Sequence, residues 1–345
     1  MRKLSFYFIS LIMATSVLFV SCKQSKKTTK EEGKTIVAAE KTSVDEFKAL
    51  TTYLEANGNF INSQSVPAMI ASDEVNDNVD NTAYKIIDIR GEDLFAEGHI
   101  KNADNVLAKD MLDYFEKIIV PTDFEKIAIV CKSGQSASYV TGIMRTMGYD
   151  NVYAMKYGMS SWNKTFAENF WVKNISNDYA DKLEKTANAK PTKGKYPTFK
   201  TGKRKAKEIL RERALYALKL PYKSLLVKAP ALFENPTNYY IINYWPEAKY
   251  AKGHIPGAVQ YTPKKSLGTT ADLATLPVDK EVVVYCYTGQ HAAFATAYLK
   301  MLGYNVKALA YGANSFMNTE MKNRDAKKWH AFSNKKIHDY KVVKD

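Results

Sequence analysis

Ile127-Ala128-Ile129-Val130-Cys131-Lys132-Ser133-Gly134-Gln135 and Val282-Val283-Val284-Tyr285-Cys286-Tyr287-Thr288-Gly289-Gln290 are two versions of one statement. In each, a short β-branched run suited to a buried strand ends at a cysteine, and a glycine follows three residues later. The two stretches lie 155 positions apart, and the same offset relates other blocks. Ile86-Ile87-Asp88 returns as Ile241-Ile242-Asn243, Gly98-His99-Ile100 as Gly253-His254-Ile255, and Met147-Gly148-Tyr149 as Leu302-Gly303-Tyr304. After one deletion, Tyr157-Gly158 aligns with Tyr311-Gly312 and Trp162 with Phe316. A single offset across four separated blocks identifies a duplicated domain. The length of 345 residues agrees, since ~100–200 residues make one domain.

Each copy reads as α/β. Tyr84–Ile89, Ile127–Val130 and Val152–Met155 are candidate strands of the first copy, with Tyr239–Ile242, Val282–Tyr285 and Val306–Ala310 their counterparts. After each cysteine loop comes an apolar stripe at helical spacing: Ala137, Val140, Met144 and Met147, then Ala292, Ala295, Leu299 and Leu302. Gly148 and Gly303 stand where a helix end needs a left-handed residue. Strands alternating with helices predict a parallel sheet covered by helices on both faces. Ligands bind such sheets at the carboxyl ends of the strands, where both cysteines fall.

A loop of small polar residues between a strand and a helix can turn its amide N–H groups inward, at the positive end of the helix dipole. A thiolate held there is stabilised over the thiol, so Cys131 and Cys286 are the candidate nucleophiles. Cys131 is followed by Lys132, Ser133, Gly134, Gln135 and Ser136, and Cys286 by Tyr287, Thr288, Gly289, Gln290 and His291. The alternative for any one buried cysteine is a small apolar core residue.

In their order, repeated twice, these features resemble the rhodanese family of sulfurtransferases. Cys-x-x-Gly before a helix is similar to its active-site loop, Asp88-Ile89-Arg90 to its Asp-x-Arg motif, and Gly253-His254-Ile255-Pro256-Gly257-Ala258 to its GHIPGA motif. The resemblance spans roughly residues 60–170 and 225–320. It implies two tandem rhodanese-like domains and a two-step reaction, in which the thiolate takes sulfane sulfur from a donor such as thiosulfate and passes it to a thiol or cyanide. It also implies that Cys286, Cys131 or both carry the chemistry, that the ten loop residues named above hold the persulfide, and that Lys132 or His291 draws in an anionic donor. Asp88, Arg90, His99 and His254 are then structural, and no cofactor or metal is expected. A non-catalytic sulfur carrier or partner-binding module is the rival reading. A phosphatase of the same fold needs a longer loop ending in arginine, where Ser136 and His291 stand here. The loops match neither the doubly basic type that goes with thiosulfate nor the Gly-Ser-Gly type that goes with mercaptopyruvate. The second copy has Asn243-Tyr244-Trp245 in place of Asp-x-Arg.

Residues 1–22 open with Arg2 and Lys3, continue as an apolar run from Leu4 to Val20 and end at Ser21-Cys22, the layout of a secretory signal. The end resembles a bacterial lipobox, which makes Cys22 a lipidation site and places the chain in the cell envelope, anchored to a membrane and facing the periplasm or exterior. Residues 23–59 are then an N-terminal linker and helix, 171–224 a basic interdomain linker and 321–345 a C-terminal tail. The net charge of +14 drops to +12 without Arg2 and Lys3, and residues 181–213 alone hold 12 basic and 4 acidic residues. Such a run is ordinarily a solvated surface, and an exported chain rarely meets nucleic acid, so no nucleic-acid partner is expected. Three cysteines are too few for a disulfide framework, and the five histidines lack metal-ligand spacing. Trp162, Trp171, Trp245 and Trp329 read as packing residues.

Overall fold

The first domain is a five-stranded, all-parallel sheet of β1 (Met69–Ile70), β2 (Tyr84–Asp88), β3 (Ala103–Asn105), β4 (Lys126–Val130) and β5 (Val152–Met155), in the order β1-β5-β4-β2-β3. The second repeats it with β6 (Leu226–Val227), β7 (Tyr239–Asn243), β8 (Val259–Gln260), β9 (Glu281–Tyr285) and β10 (Val306–Leu309), in the order β6-β10-β9-β7-β8. Tyr84 pairs with Lys126 in one sheet and Tyr239 with Glu281 in the other, so the registers repeat at the offset seen in the sequence. This computed structural model describes residues 44–344. The signal segment 1–22, Cys22 and residues 23–43 lie outside the described residues. Among the described residues, no helix is long and apolar enough to cross a membrane.

Four helices pack as one group: α1 (Glu46–Ala56), α2 (Gln135–Thr146), α3 (Ala206–Lys219) and α4 (Gln290–Met301), with α3 against each of the other three. β4 and β9 are buried over most of their length, as β-branched runs at the centre of a doubly covered sheet must be. α2 and α4 pack against each other across the domain boundary. Gly142 permits the close approach: a Cβ there would sit 3.1 Å from the Ala297 Cβ and 3.3 Å from the Phe294 Cα. Gly148 (φ +99°) and Gly303 (φ +93°) end these helices in the left-handed region, as expected. One apolar core runs through both domains, within one compact unit from Val44 onward.

The basic segment 171–224 is more than a solvated linker, because α3 lies within it. Ile209, Leu210, Ala214, Ala217 and Leu218 of this helix are buried. Arg213 donates to the carbonyls of Met301 (2.7 Å) and Lys300 (2.9 Å), covering two of the orphan acceptors that end α4. The tails of the two domains also cross over. His99 exchanges backbone hydrogen bonds with Val343 of the C-terminal tail, both at 2.9 Å, while His254 does the same with Glu184 of the segment that follows the first domain.

Candidate active site

Cys131 is the first residue after β4, and the loop that follows is closed by Gly134 in the left-handed region (φ +83°). The backbone N–H groups of Gly134 and Ala137 donate to the Cys131 Sγ at 3.2 and 3.3 Å. The first turn of α2 therefore points its unpaired donors at the sulfur, where negative charge is favoured. The loop is clamped from behind. Met159 N–H donates to the Cys131 carbonyl (2.8 Å), the Ser160 Oγ to that of Lys132 (2.8 Å) and the Trp171 Nε1 to that of Ser133 (3.0 Å). Gly158 has to be glycine, because a Cβ there would lie 2.2 Å from the Cys131 carbonyl oxygen.

In front of Cys131 opens a cleft of about 560 Å³. Leu107, Tyr139, Val140 and Phe170 of the first domain line it together with Leu218 of α3, Leu220 and Tyr222. Lys109, Lys132, Lys219 and Lys223 also line it, and no carboxylate does. Sequence reasoning missed Tyr222. Its hydroxyl is buried with no hydrogen-bond partner in the protein. Burial, and after it the negative charge of a Cys131 thiolate, hold this phenol protonated well above its ordinary pKa. Only its place in a segment read as linker hid it.

The Cys286 loop has the same backbone, with Gly289 at φ +74° and Ala292 N–H donating to the sulfur at 3.3 Å. Its surroundings differ. Ile89, Arg90, Lys132 and Ser136 of the first copy correspond to Tyr244, Trp245, Tyr287 and His291 of the second. Trp245 stacks on Tyr287 with centroids 5.0 Å apart, Tyr244 meets His291 edge-on at 5.0 Å, and Trp329 stands against Trp245 at 5.4 Å. Four rings thus stand where the first domain has its open side. Burial pushes the Cys286 thiol above its ordinary pKa, against the pull of the Ala292, Thr288, Gly289 and His291 N–H groups. One expectation is corrected here. Burial first, then the charge on Lys264, drives the His291 imidazole down to about 3, so it is neutral and draws in no anion. The Tyr287 ring stacks on Trp245, while its backbone remains part of the loop. The replacement of Asp-x-Arg leaves the strand intact: Asn243 pairs with Tyr285 in the ladder, and its side chain donates to the Tyr285 hydroxyl at 2.7 Å.

The remaining motif residues make local contacts. Arg90 and Asp88 form a buried ion pair at 2.7 Å, and Arg90 also donates to the Gly98 carbonyl at 2.7 Å, tying the end of β2 to the next turn. The Nδ1 atoms of His99 and His254 lie 3.0 Å from the carbonyls of Phe95 and Tyr250. All four tryptophans are buried. Gln135 and Gln290, expected to serve their own loops, reach across the domain boundary. Gln135 accepts from Tyr311 N–H (2.8 Å) and donates to the Leu309 carbonyl (3.3 Å); Gln290 accepts from Tyr157 N–H (3.4 Å). Each fills the space beside the opposite glycine: a Cβ on Gly289 would lie 2.1 Å from the Gln135 Nε2, and one on Gly134 2.3 Å from the Gln290 Nε2. Cys131 and Cys286 are both free thiols.

The profile of the rhodanese-like domain matches residues 71–165 and again residues 231–319. No curated protein matches the chain. Among solved structures, a rhodanese-related protein from Thermoplasma volcanium is 19% identical over 29% of this chain and 91% of its own, with a TM-score of 0.24. A thiosulfate sulfurtransferase from Pseudomonas aeruginosa is 16% identical over 77% of this chain and 46% of its own, with a TM-score of 0.30. A 3-mercaptopyruvate sulfotransferase from Escherichia coli is 20% identical over 71% and 99%, with a TM-score of 0.25. Likeness at this level carries nothing about substrate.

Proposed function

The chain belongs to the rhodanese-like domain family, with two copies of the domain, and from that premise we propose that it is a sulfurtransferase whose sulfur is carried by Cys131. One observation supports this assignment above the others: the Cys131 Sγ receives two backbone N–H groups and faces an open cleft, whereas Cys286 lies behind a lid of aromatic rings. A hydrogen bond to a charged group contributes about 1.5–3 kcal/mol, and the donors stand where a persulfide anion needs them.

In the first step the Cys131 thiolate attacks the outer sulfur of thiosulfate or another sulfane donor. A new S–S bond forms, the donor's S–S bond breaks, and sulfite leaves with the electron pair. In the second, an acceptor thiol attacks the outer sulfur of the persulfide, Cys131 departs as thiolate, and the acceptor leaves as a persulfide. The Tyr222 hydroxyl, protonated, unpartnered and lining the same cleft as Cys131, is the donor assigned here to the anionic sulfur in both steps. The same reading keeps the domains in the cell envelope, held by a lipid on Cys22; metabolic labelling with a fatty acid, lost in Cys22→Ala, tests that part.

The decisive experiment is intact mass after treatment with a sulfane donor. Wild type and Cys286→Ser should gain about 32 Da, the mass of one sulfur atom, and Cys131→Ser should gain nothing. A gain that persists in Cys131→Ser overturns the assignment. Loading without release to any thiol favours a sulfur carrier over an enzyme.

A further inference from the structure

The cleft in front of Cys131 is far better furnished than an inorganic donor requires. Its volume of about 560 Å³ lies within the ~300–1,000 Å³ typical of pockets for organic ligands. Leu107, Val140, Phe170, Leu218 and Leu220 give it an apolar lining. Thiosulfate has no apolar surface to bury against them, so walls of this kind add nothing to its binding. The charged groups point the same way. Lys109, Lys132, Lys219 and Lys223 are exposed at the rim, and none of them is in an ion pair among the described residues. The basic group beneath them, Arg90, is spent on Asp88. An occupant that answers both features is apolar along its length and negatively charged near its sulfur.

We propose that the cleft selects an organic sulfane donor, with the transferable sulfur carried on an apolar body beside a negative charge, in preference to thiosulfate. The inference rests on the reading of Cys131 as the sulfur-carrying thiol and adds the class of molecule that delivers the sulfur. For an organic thiosulfonate, RSO₂–S⁻, the step balances without an oxidant or reductant. The Cys131 thiolate bonds to the terminal sulfur, the bond from that sulfur to the sulfonyl group breaks, and the electron pair leaves on the sulfinate RSO₂⁻. Total charge is unchanged. The apolar body stays against Leu218 and Leu220 while the sulfinate forms beneath the lysines.

A series of sodium alkanethiosulfonates from methyl to octyl, measured on the full chain against thiosulfate, tests the proposal, with sulfinate or sulfite release and intact mass read in parallel. The expected kcat/KM rises about three- to fourfold per methylene until the cleft is full, the factor that follows from burying a CH₂ group. The longest donors that fit should exceed thiosulfate by at least about tenfold, a ratio that follows from only two buried methylenes. Leu220→Ser should flatten the rise, and added salt should lower kcat/KM for every member, because the lysines act on charge common to all. A flat or falling series with Cys131 still gaining sulfur overturns the selectivity and leaves the sulfur-carrying role standing. No gain at Cys131 from any member of the series or from thiosulfate overturns both.

Discussion

Around Cys131, positions 89, 90, 132 and 136 hold isoleucine, arginine, lysine and serine; around Cys286, the matching positions 244, 245, 287 and 291 hold tyrosine, tryptophan, tyrosine and histidine. The backbones of the two loops agree, down to the left-handed glycine and the N–H group on the sulfur. Even the exposure of the two cysteines is alike, at 2% and 1%. What separates them is the company of the thiol: a cleft lined by Cys131 opens in the first domain, and aromatic rings cluster at the matching positions of the second. Main-chain donors at the sulfur are common to both loops, so a difference in reactivity between the two cysteines has to come from these four side chains.

The sharpest way to break this comparison is to exchange the roles of the two cysteines. Cys131→Ser should lower turnover by at least about a thousandfold, as loss of a covalent nucleophile does, while Cys286→Ser should change it less than twofold. Steady-state sulfite release from thiosulfate measures both; equal losses would show the lid over Cys286 to be open in solution. Next in size is the cost of disturbing the braces between the loops. Gly289→Ala forces a left-handed alanine and a collision with Gln135, together about 2–4 kcal/mol in denaturant unfolding. Adding Gln135→Ala should return the part due to the collision, and a cycle with no coupling would sever the link between the halves.

Smaller effects sharpen the contrast. Tyr222→Phe should slow sulfur transfer about ten- to a hundredfold at unchanged stability, the loss expected from one hydrogen bond to a charged group, and should leave the pH profile unmoved because its phenol never ionises in the working range. The smallest concerns the lid. The His291 pKa is held at about 3 in the folded protein against an ordinary 6.5, so the unfolded chain binds its proton first as pH falls. The stabilising contribution is therefore complete above 6.5 and is lost through the window from 6.5 down to 3. About 1 kcal/mol should disappear over the first pH unit of that window, and His291→Gln should remove this part of the slope in urea melts at a series of pH values.

Much of this was legible in the chain itself. The strands, the cysteine at each strand end and the glycines closing the helices are local or periodic features, and the offset between the copies ties them together. The lid was written there as well, in the aromatic replacements at matched positions; reading each copy against the other at the cysteine, instead of only for shared residues, exposes it. α3 was harder, because Lys207, Arg211 and Arg213 interrupt the apolar stripe that packs it. The crossing glutamines carry no local signal at all. They are polar residues at a helix start, and only the close approach of α2 to α4 gives their amides a destination in the other domain.

The exchange of tails, with the C-terminal segment paired to His99 of the first copy and the segment after the first domain paired to His254 of the second, carries a consequence for how the molecule comes apart. Neither half can loosen without stripping a strap from its sibling and baring the apolar flank of a central helix. Calorimetry should accordingly record one melting event with matching van't Hoff and calorimetric enthalpies, where two beads on a string would give two.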